Sequence, residues 1–551
     1  MTSPLSAPPS EQSAPLPAGN RDDAAARPSS HRRVVLVTLM LSSLGGLVVA
    51  VATRDGVIAA PDATVYLGIS ENLADGRGFS TPFVNIIDTF SPSEAVSFDG
   101  AVPNRYYPPL YPAVLGAFNA VGLSSQGAAR LLDTALMMIN VGLLCTVTAR
   151  LTANRTGAVI ATGSIAATSS ALVLSHVSAA SETLYVALLL LGVLVLEGGR
   201  RREFPAGWRW LFVVIASLAM LTRFVGVALL TTGVWALLRR PGVGWRDRLT
   251  QASPTLLAPV PLLLWAVYGA AGSSRELVYH PPGFDQVRLA YEQVLDILGG
   301  ASTPTLLRGL IVLASVAVLV AGVASLLERD GVSASLRRVT DGGLMSLLVT
   351  GAALHLAVLW LSYAFIDQTL AFTFRQLLPA LALLLPVAVC LVAELVPRGD
   401  AVGWRQAGLA VLVATVVAGQ VAALSDVVHD GKLGPHNSEA ASEAKALLAG
   451  LPADTLVFTN DPNILWAWTG ESVLALPWTE SVLSGKPNEH LGAHLAEFEQ
   501  IVAENDVAVV YLNEGLIFFD YLLPPEELST LVELEPVPSS DAFQVYQAGP
   551  A

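Results

Sequence analysis

The stretch that decides the fold reads HRRVVLVTLMLSSLGGLVVAVATRDGVIAAPDATVY over residues 31–66. Two arginines precede an apolar run over 34–52, and a polar segment that contains Asp62 follows the run. The run is close to the roughly 20 residues that a transmembrane helix needs, and no clear small-residue cleavage site ends it. The stretch therefore predicts an uncleaved first membrane helix that leads directly into a loop outside the membrane.

Composition extends this prediction to most of the chain. Of the 551 residues, 53% are hydrophobic and 14% are charged, and the mean hydropathy is +0.56. Such values are typical of proteins that cross a membrane several times. Nothing in the composition favours binding to nucleic acid.

Charge divides the chain into two parts. From Val427 onward, 19 Asp and Glu residues face three Lys, although the net charge of the whole chain is only −14. A segment this acidic favours water, and it is long enough for a core of its own. We therefore predict a disordered cytoplasmic segment over 1–33, a membrane domain over 34–426 with its first outer loop over 53–126, and an extracytoplasmic domain over 427–551.

Apolar runs bounded by polar loops predict a mainly α, polytopic membrane helical bundle of about eleven spans. With the N-terminus in the cytoplasm, the five later inside loops contain fifteen arginines, as the positive-inside rule expects. An odd number of spans in the plasma membrane then places the acidic tail outside. The shortest two runs form either one re-entrant feature or two short helices that meet at Thr222-Arg223. The predicted spans are 34–52, 127–149, 157–175, 181–198, 208–221, 224–238, 254–272, 308–327, 343–366, 376–396 and 406–426.

The tail has the pattern of a small α/β domain. Ser438 to Leu451 and His494 to Glu504 show helical apolar spacing, and Thr455 to Thr459 and Val507 to Tyr511 have the composition of strands. Alternation of helix and strand predicts a parallel sheet. The turn Asn460-Asp461-Pro462 is interpreted as ordinary, without chemistry.

Asp62 is the first candidate for chemistry. The segment from Asp62 to Asp75 predicts an amphipathic helix along the outer membrane surface. Asp at a helix start is a favoured N-cap, whereas a partly desolvated carboxylate outside the bilayer can also act as a general base. The two roles are compatible. Glu71 falls about 180° around the same helix, so the two acids are not expected to form a pair.

A second candidate set lies just before a hydrophobic segment, in Arg105-Tyr106-Tyr107-Pro108-Pro109-Leu110-Tyr111-Pro112. Prolines delay helix formation there until the chain reaches the membrane. An aromatic belt at the membrane interface is the simpler interpretation. Arg105 and Tyr106 are the members that could instead contact a substrate.

Three charged residues lie at predicted ends of spans. Glu182 either caps its helix or serves a polar cavity. Arg223 must face a cavity, a lipid headgroup or a partner acid. Arg375 either extends to the interface or holds a phosphate with its planar guanidinium. His280 and His355 are interpreted as structural.

Other motifs of enzyme chemistry are absent from the sequence. It has no phosphate-binding glycine-rich loop, no His-Glu-x-x-His and no nucleophile elbow. Cys145 and Cys390 each lie in an apolar run, so neither predicts a disulfide or a metal site.

Several motifs, taken in order, resemble those of bacterial GT-C membrane glycosyltransferases, nearest to the branch of the protein O-mannosyltransferases and the lipid A aminoarabinose transferase. The resemblance covers roughly 34–426 and depends on order and topology more than on any single motif. The motifs are Pro61-Asp62 to Tyr66, Leu73 to Gly78, Tyr107 to Pro112, Ala129-Arg130, Ser181-Glu182, Thr222-Arg223 and Arg375 to Pro379.

The resemblance implies a reaction. Members of that family move a sugar from a polyprenyl-phosphate donor to an acceptor outside the membrane, and an acid in the first outer loop is the base. That role maps onto Asp62, and a single displacement would invert the anomeric carbon. The leaving phosphate needs a cationic partner, for which Arg375 leads and Arg105 and Arg223 follow.

Tyr106 and Glu182 complete the substrate-binding residues expected from this resemblance. No cofactor is required. Many relatives carry two adjacent acids where this chain has Asp62-Ala63, so the resemblance leaves a divalent metal open.

Two other classes of protein are compatible with many spans. A transporter or exporter of a lipid-linked glycan would show internal repeats with broken helices, and the sequence shows no such repeat. A sensor would need an output domain on the cytoplasmic side. The long first loop and the tail favour the enzyme.

Overall fold

The structure is a computed structural model that describes residues 27–58, 60–84, 91–104, 106–240, 242–270, 279, 281, 283–300, 303–366, 370, 372–396, 403–429, 439–480, 486–513, 521–532, 534–537 and 542–548. Most of the segment predicted to be disordered, 1–26, lies outside these residues, as does His280. The first helix begins at Arg27, earlier than the predicted 34.

Helices form the body of the molecule and its first outer loop. In chain order, those described are α1 (Arg27–Ala52), α2 (Pro61–Ala74), α3 (Pro92–Ser97), α4 (Leu110–Ala120), α5 (Ser125–Leu151), α6 (Thr156–Thr168), α7 (Ser170–Val177), α8 (Ser181–Arg201), α9 (Ala206–Thr222), α10 (Val227–Leu238), α11 (Trp245–Ala252), α12 (Val260–Ala270), α13 (Phe284–Gly299), α14 (Thr305–Thr340), α15 (Leu344–Phe365), α16 (Phe374–Glu394) and α17 (Trp404–His429).

Seven of these helices are long and apolar enough to span a membrane, namely α1, α5, α8, α14, α15, α16 and α17. The pair α6 and α7, bent by 47°, makes an eighth if it counts as one span. The chain is thus a multi-pass membrane protein, as predicted. The other three predicted spans coincide with α9, α10 and α12, which are helical but short. The helices that are long enough to cross a membrane are therefore fewer than the eleven spans predicted.

The short helices α9 and α10 form a hairpin with Arg223 at its turn. Arg223 has extended backbone angles, φ −151° and ψ 139°. Gly226 and Gly233 allow the close approach, because a Cβ there would overlap the Ala219 backbone and the Phe212 ring. The helices therefore run antiparallel, and the chain leaves the hairpin at the end where it entered. Of the two predicted alternatives, the structure thus shows two short helices that meet at this point.

The bend between α6 and α7 is supported by one buried side chain of α17. The backbone N–H and the hydroxyl of Ser170 both donate to Gln420 Oε1 at 2.7 Å. Gln420 Nε2 donates in turn to the carbonyl of Ile297, also at 2.7 Å. Backbone groups at a helix break need such partners inside a membrane protein, so Gln420 joins α7, α13 and α17.

The tail forms a five-stranded mixed sheet with helices around it. Its elements are α18 (Glu439–Gly450), β3 (Leu456–Thr459), α19 (Pro462–Thr469), β4 (Leu474–Ala475), α20 (Leu491–Glu504), β5 (Val507–Leu512), α21 (Pro525–Leu531), β6 (Leu534–Val537) and β7 (Phe543–Ala548). The strand order is β4-β3-β5-β7-β6. β3 pairs in parallel with β4 and β5, which confirms the predicted parallel pairing, but β7 is antiparallel to both neighbours.

The segment predicted to be the first outer loop, 53–126, packs directly against this sheet domain. Phe83, in the loop, forms a bridge to Val473, and its ring lies 5.2 Å from that of Trp466 in α19. Ser93 Oγ in the loop donates to Glu497 Oε2 at 2.8 Å. A single buried cluster contains apolar residues of α2, α4 and α19. The tail thus shares a core with the loop in addition to holding one of its own. The short strands β1 (Ser80–Thr81) and β2 (Val102–Pro103) close the loop.

This packing corrects the predicted character of α2. We expected an amphipathic helix on the membrane surface, but residues 63–70 are all buried. Neighbours of α2 include α4, α5 and α19. A helix enclosed on several sides needs no polar face, and the sheet domain contributes to this enclosure through α19.

Asp461 is more constrained than an ordinary turn residue. It is the N-cap of α19, and its Oδ1 accepts from the backbone N–H of Ile464 at 3.0 Å. The residue is 2% exposed, and Oδ2 has no hydrogen-bond partner among the described residues. Burial raises the pKa of this carboxyl to about 7.

The substitution Asp461→Asn should therefore change the pH dependence of stability. Between about pH 4 and about pH 7 the folded protein holds a proton that the unfolded chain has lost, so wild-type stability falls as the pH rises through this range. Asn keeps the cap acceptor but cannot ionise, and its Tm in detergent should fall less. The exposed Asp454→Asn is the control. An Asn variant whose Tm falls as steeply as the wild type would contradict the expectation.

Candidate functional site

Four charged side chains meet at one end of the helical bundle. Asp62 and Arg375 lie in the first turns of α2 and α16, Glu182 lies in the first turn of α8, and Arg223 lies at the turn of the α9–α10 hairpin. Arg375 Nη2 lies 2.9 Å from Asp62 Oδ2 and 3.1 Å from Glu182 Oε1. Arg223 Nη1 lies 2.9 Å from Glu182 Oε2. We call these four residues the charge cluster.

Glu182 is the centre of the charge cluster. Its side chain has 0% exposure, compared with 16% for Arg223, 19% for Arg375 and 31% for Asp62. A buried carboxylate is tolerable only when it is paired and hydrogen-bonded, and Glu182 meets two guanidinium groups. Two acids and two cations balance formally, so the cluster can exist away from bulk water.

Helix ends influence these charges further. Negative side chains are favourable near a helix N-terminus and positive ones near a C-terminus. Asp62 and Glu182 follow this rule because they lie in the first turns of their helices. Arg223 follows it because it comes directly after the last residue of α9. Arg375 does not, since it lies in the first turn of α16. Its position there therefore depends on the two carboxylates.

Uncharged groups fix the orientation of Arg223. Its Nη1 donates to Ser181 Oγ at 3.1 Å, and its Nη2 donates to Gln376 Oε1 at 2.8 Å. The backbone carbonyl of Gln376 interacts with His355 Nε2 at 3.1 Å. The Tyr66 hydroxyl lies 3.1 Å from Ser181 Oγ. These hydrogen bonds hold Ser181, Gln376 and His355 in place around Arg223. For His355 this is the structural role that we predicted.

A tyrosine cluster adjoins the base candidate. Tyr107 Oη donates to Asp62 Oδ1 at 3.3 Å, and Trp265 Nε1 of α12 donates to the Tyr107 carbonyl at 3.1 Å. The rings of Tyr66 and Tyr107 pack edge to face at 5.4 Å. Burial, followed by the nearby Asp62 charge, raises the pKa of Tyr66 far above its ordinary value. Tyr66 is therefore a neutral phenol.

Asp62 is not the N-cap of its helix. Ala60 occupies that position without a side-chain cap, and Pro61 is the first helical residue. The simpler interpretation of Asp62 is thus wrong, and its carboxylate is directed at Arg375 and Tyr107 instead. Glu71, on the opposite face as expected, accepts from Ser125 Oγ at 2.5 Å.

The other predicted residues have mixed outcomes. Arg105 lies outside the described residues. Tyr106 packs on Tyr107, with ring centroids 5.0 Å apart. Tyr107 and Gln376 were quoted within motifs without a role, although each directly contacts a member of the charge cluster. Tyr107 is 45 positions from the Asp62 carboxylate that it contacts. No local sequence pattern indicates such a contact.

Arg375 has one side-chain nitrogen that accounts for no hydrogen bond. This atom is Nε, which is buried and has no hydrogen-bond partner among the residues that the structure describes. A buried N–H without an acceptor costs free energy, so an incoming acceptor would be favoured there. As for metals, no group of three or more His, Cys, Asp or Glu is placed to hold an ion within the residues that the structure describes.

Comparison with known proteins gives matches among solved structures only. No family model and no curated protein matches the chain. ArnT from Cupriavidus metallidurans in the apo state aligns with a TM-score of 0.58 and 14% identity, over 93% of this chain and 98% of that chain. The same protein bound to undecaprenyl phosphate gives a TM-score of 0.54 at 14% identity, over 93% and 99%.

A third match is arabinofuranosyltransferase AftD from Mycobacteria, with a TM-score of 0.52 and 15% identity. It covers 93% of this chain but 41% of that longer one. The helices and the sheet domain define a polytopic membrane protein with a buried charge cluster at one end of its helical bundle. Within that class, the chain has the GT-C fold, as the sequence resemblance predicted.

Neutralising Glu182 should destabilise the membrane domain. In Glu182→Gln, Arg223 loses its ionic partner, and breaking such a buried pair costs roughly 3 kcal/mol. The Tm of the purified protein should therefore fall by several degrees. The double variant Glu182→Gln/Arg223→Gln restores neutrality and should recover part of the loss. A single variant as stable as the wild type would show that the cluster does not need this charge.

Proposed function

We propose that this protein is a membrane glycosyltransferase that moves a sugar from a polyprenyl-phosphate donor to an acceptor outside the membrane, with inversion. Two of the structures that share its fold support the class of donor and reaction. One is ArnT, solved with undecaprenyl phosphate, and the other is the arabinofuranosyltransferase AftD. The acceptor is a glycan, lipid or protein of the cell envelope.

The observation that carries this proposal is the contact between Asp62 and Arg375. These residues are 313 positions apart, yet Nη2 and Oδ2 are 2.9 Å apart. Transfer from a lipid phosphate needs a base for the acceptor and a cation for the leaving group. The contact brings one candidate for each role to the same point, at the ends of membrane helices where a lipid headgroup lies.

The reaction follows from these two groups. Asp62 accepts the proton of the acceptor hydroxyl, whose oxygen forms a bond to the anomeric carbon. The bond from that carbon to the phosphate oxygen breaks, and the electron pair leaves with the polyprenyl phosphate. Arg375 stabilises the negative charge that develops on it. One displacement on the face opposite the leaving group inverts the configuration.

The remaining members position these two groups. Glu182 and Arg223 hold Arg375 from the protein side, and Tyr107 orients Asp62. Arg105 and Tyr106 remain predictions as substrate contacts. We propose a metal-independent reaction, because the guanidinium of Arg375 supplies the charge that a divalent ion would otherwise provide.

Removing the base should abolish transfer without unfolding the protein. Asp62→Asn should lower sugar transfer from radiolabelled polyprenyl-phosphate mannose or arabinofuranose by about 100-fold or more, which is the range for general base catalysis. Asp75→Asn, an exposed acid at the end of the same helix, is the matched control. Comparable activity in Asp62→Asn would refute the role of the base. A wild-type protein that turns over no donor but moves solute across vesicles would be an exporter.

Orientation in the membrane is part of this proposal. Arginines of the predicted inside loops pair with acids at the far ends of α8 and α16. Arg150 Nη1 lies 2.6 Å from Glu197 Oε2, and Arg329 Nη1 lies 2.6 Å from Glu394 Oε2. The charge cluster is at the opposite ends of the same two helices. By the positive-inside rule, it faces the outside together with the sheet domain.

Cysteine labelling tests this orientation. Single cysteines at the exposed positions Ser97, Ser333 and Ala453 should react with an impermeant reagent in intact cells only at the first and the last. The native Cys145 and Cys390 are buried, so they contribute little background. Labelling at position 333, or protection at position 453, would contradict the proposed topology. Permeabilised cells, in which all three positions should react, provide the control.

A further inference from the structure

The guanidinium of Arg375 contacts carboxylates through one of the two nitrogens on its Nε–Nη2 edge. Nη2 is shared, lying 2.9 Å from Asp62 Oδ2 and 3.1 Å from Glu182 Oε1. Nε, on the same edge of the planar group, is buried and has no hydrogen-bond partner within the part of the chain that the structure describes. Arginine binds carboxylates and phosphates best through two parallel N–H groups. Neither carboxylate supplies the second oxygen here.

An anion with two suitably spaced oxygens would complete this edge. A phosphodiester offers them, and it is the group that the proposed donor carries. Because the edge is already contacted at Nη2, such an anion must displace one carboxylate.

The two carboxylates differ in how firmly they are held. Glu182 is fully buried and bound to Arg223 at 2.9 Å. Asp62 is 31% exposed, and its other oxygen accepts a long hydrogen bond of 3.3 Å from Tyr107. Removing Glu182 from Arg375 would disturb a buried ion pair, which is costly. Asp62 is therefore the carboxylate that is easier to displace from Arg375.

We infer that the donor phosphate binds the Nε–Nη2 edge of Arg375 by displacing Asp62, so that donor binding itself releases the catalytic base. This inference rests on the proposed function. It implies an ordered binding of substrates, in which the donor binds before the acceptor. No proton moves in the exchange, because one anion replaces another on Arg375. Asp62 is released as a carboxylate, ready to accept the proton of the acceptor.

Binding of undecaprenyl phosphate alone tests this exchange without any turnover. The purified protein in nanodiscs is titrated with the lipid, and Kd is compared between wild type and variants. Asp62→Asn removes the competing anion and should bind at least about threefold more tightly, as expected for a partly exposed ion pair. Asp62→Ala is a second variant in case Asn hydrogen-bonds to Arg375. Asp75→Asn should leave Kd unchanged.

A double variant separates a direct exchange from a general field effect. In an Arg375→Gln background, Asp62→Asn should no longer tighten binding, because the two residues act through one contact. Arg375→Lys keeps the charge but lacks the two-nitrogen edge, and it should bind more weakly than the wild type. Persistence of the tightening in the Arg375→Gln background would overturn the exchange.

The outcomes distinguish this inference from the function beneath it. If Asp62→Asn and Asp62→Ala bind the lipid no more tightly than the wild type, while transfer still requires Asp62, then the exchange is wrong and the proposed function stands. If the wild type neither binds undecaprenyl phosphate nor transfers sugar, the proposed function itself fails.

Discussion

The buried carboxylate of Glu182 is the constraint on which the site depends. A charge with no access to water must be neutralised by its neighbours, and here two arginines from distant parts of the chain do so. One arginine fixes the turn of a helical hairpin, and the other fixes the start of α16. The position of Asp62 follows from the second arginine. A single desolvated acid thus determines where four helices end relative to one another.

The same constraint explains why the site can be both polar and embedded in an apolar body. Ionisable residues are costly in membrane helices, and they persist where they face a protein interior or cavity. Here they occur at helix ends, where the side chains of Ser181 and Gln376 also accept hydrogen bonds from Arg223. The apolar length of each helix stays intact. The charged groups therefore lie at the ends of the helices, and the apolar surface that faces lipid lies between them.

Much of the fold could be predicted from local patterns, whereas the site could be predicted only in part. Apolar runs predicted the long helices, and the gap at Arg223 predicted the hairpin. The antiparallel strand β6 was missed because it is short, contains Pro536 and is an edge strand, and such strands have little signal. Asp62 was interpreted as a possible cap because its partner in α16 is 313 residues away. The enclosure of α2 depends on contacts with α19, about 400 positions later, which no periodicity within α2 can reveal.

The core shared by the segment 53–126 and the sheet domain limits which substitutions this protein can accept during evolution. Phe83 and Trp466 belong to segments far apart in the chain, yet each fills space left by the other. A change of volume on one side of this interface creates a void or a clash unless the other side compensates. The sheet domain is therefore not a module that could be exchanged freely between helical membrane domains. Across natural variants, residues of the loop around Phe83 and of α19 should vary as linked pairs, while lipid-facing positions drift independently.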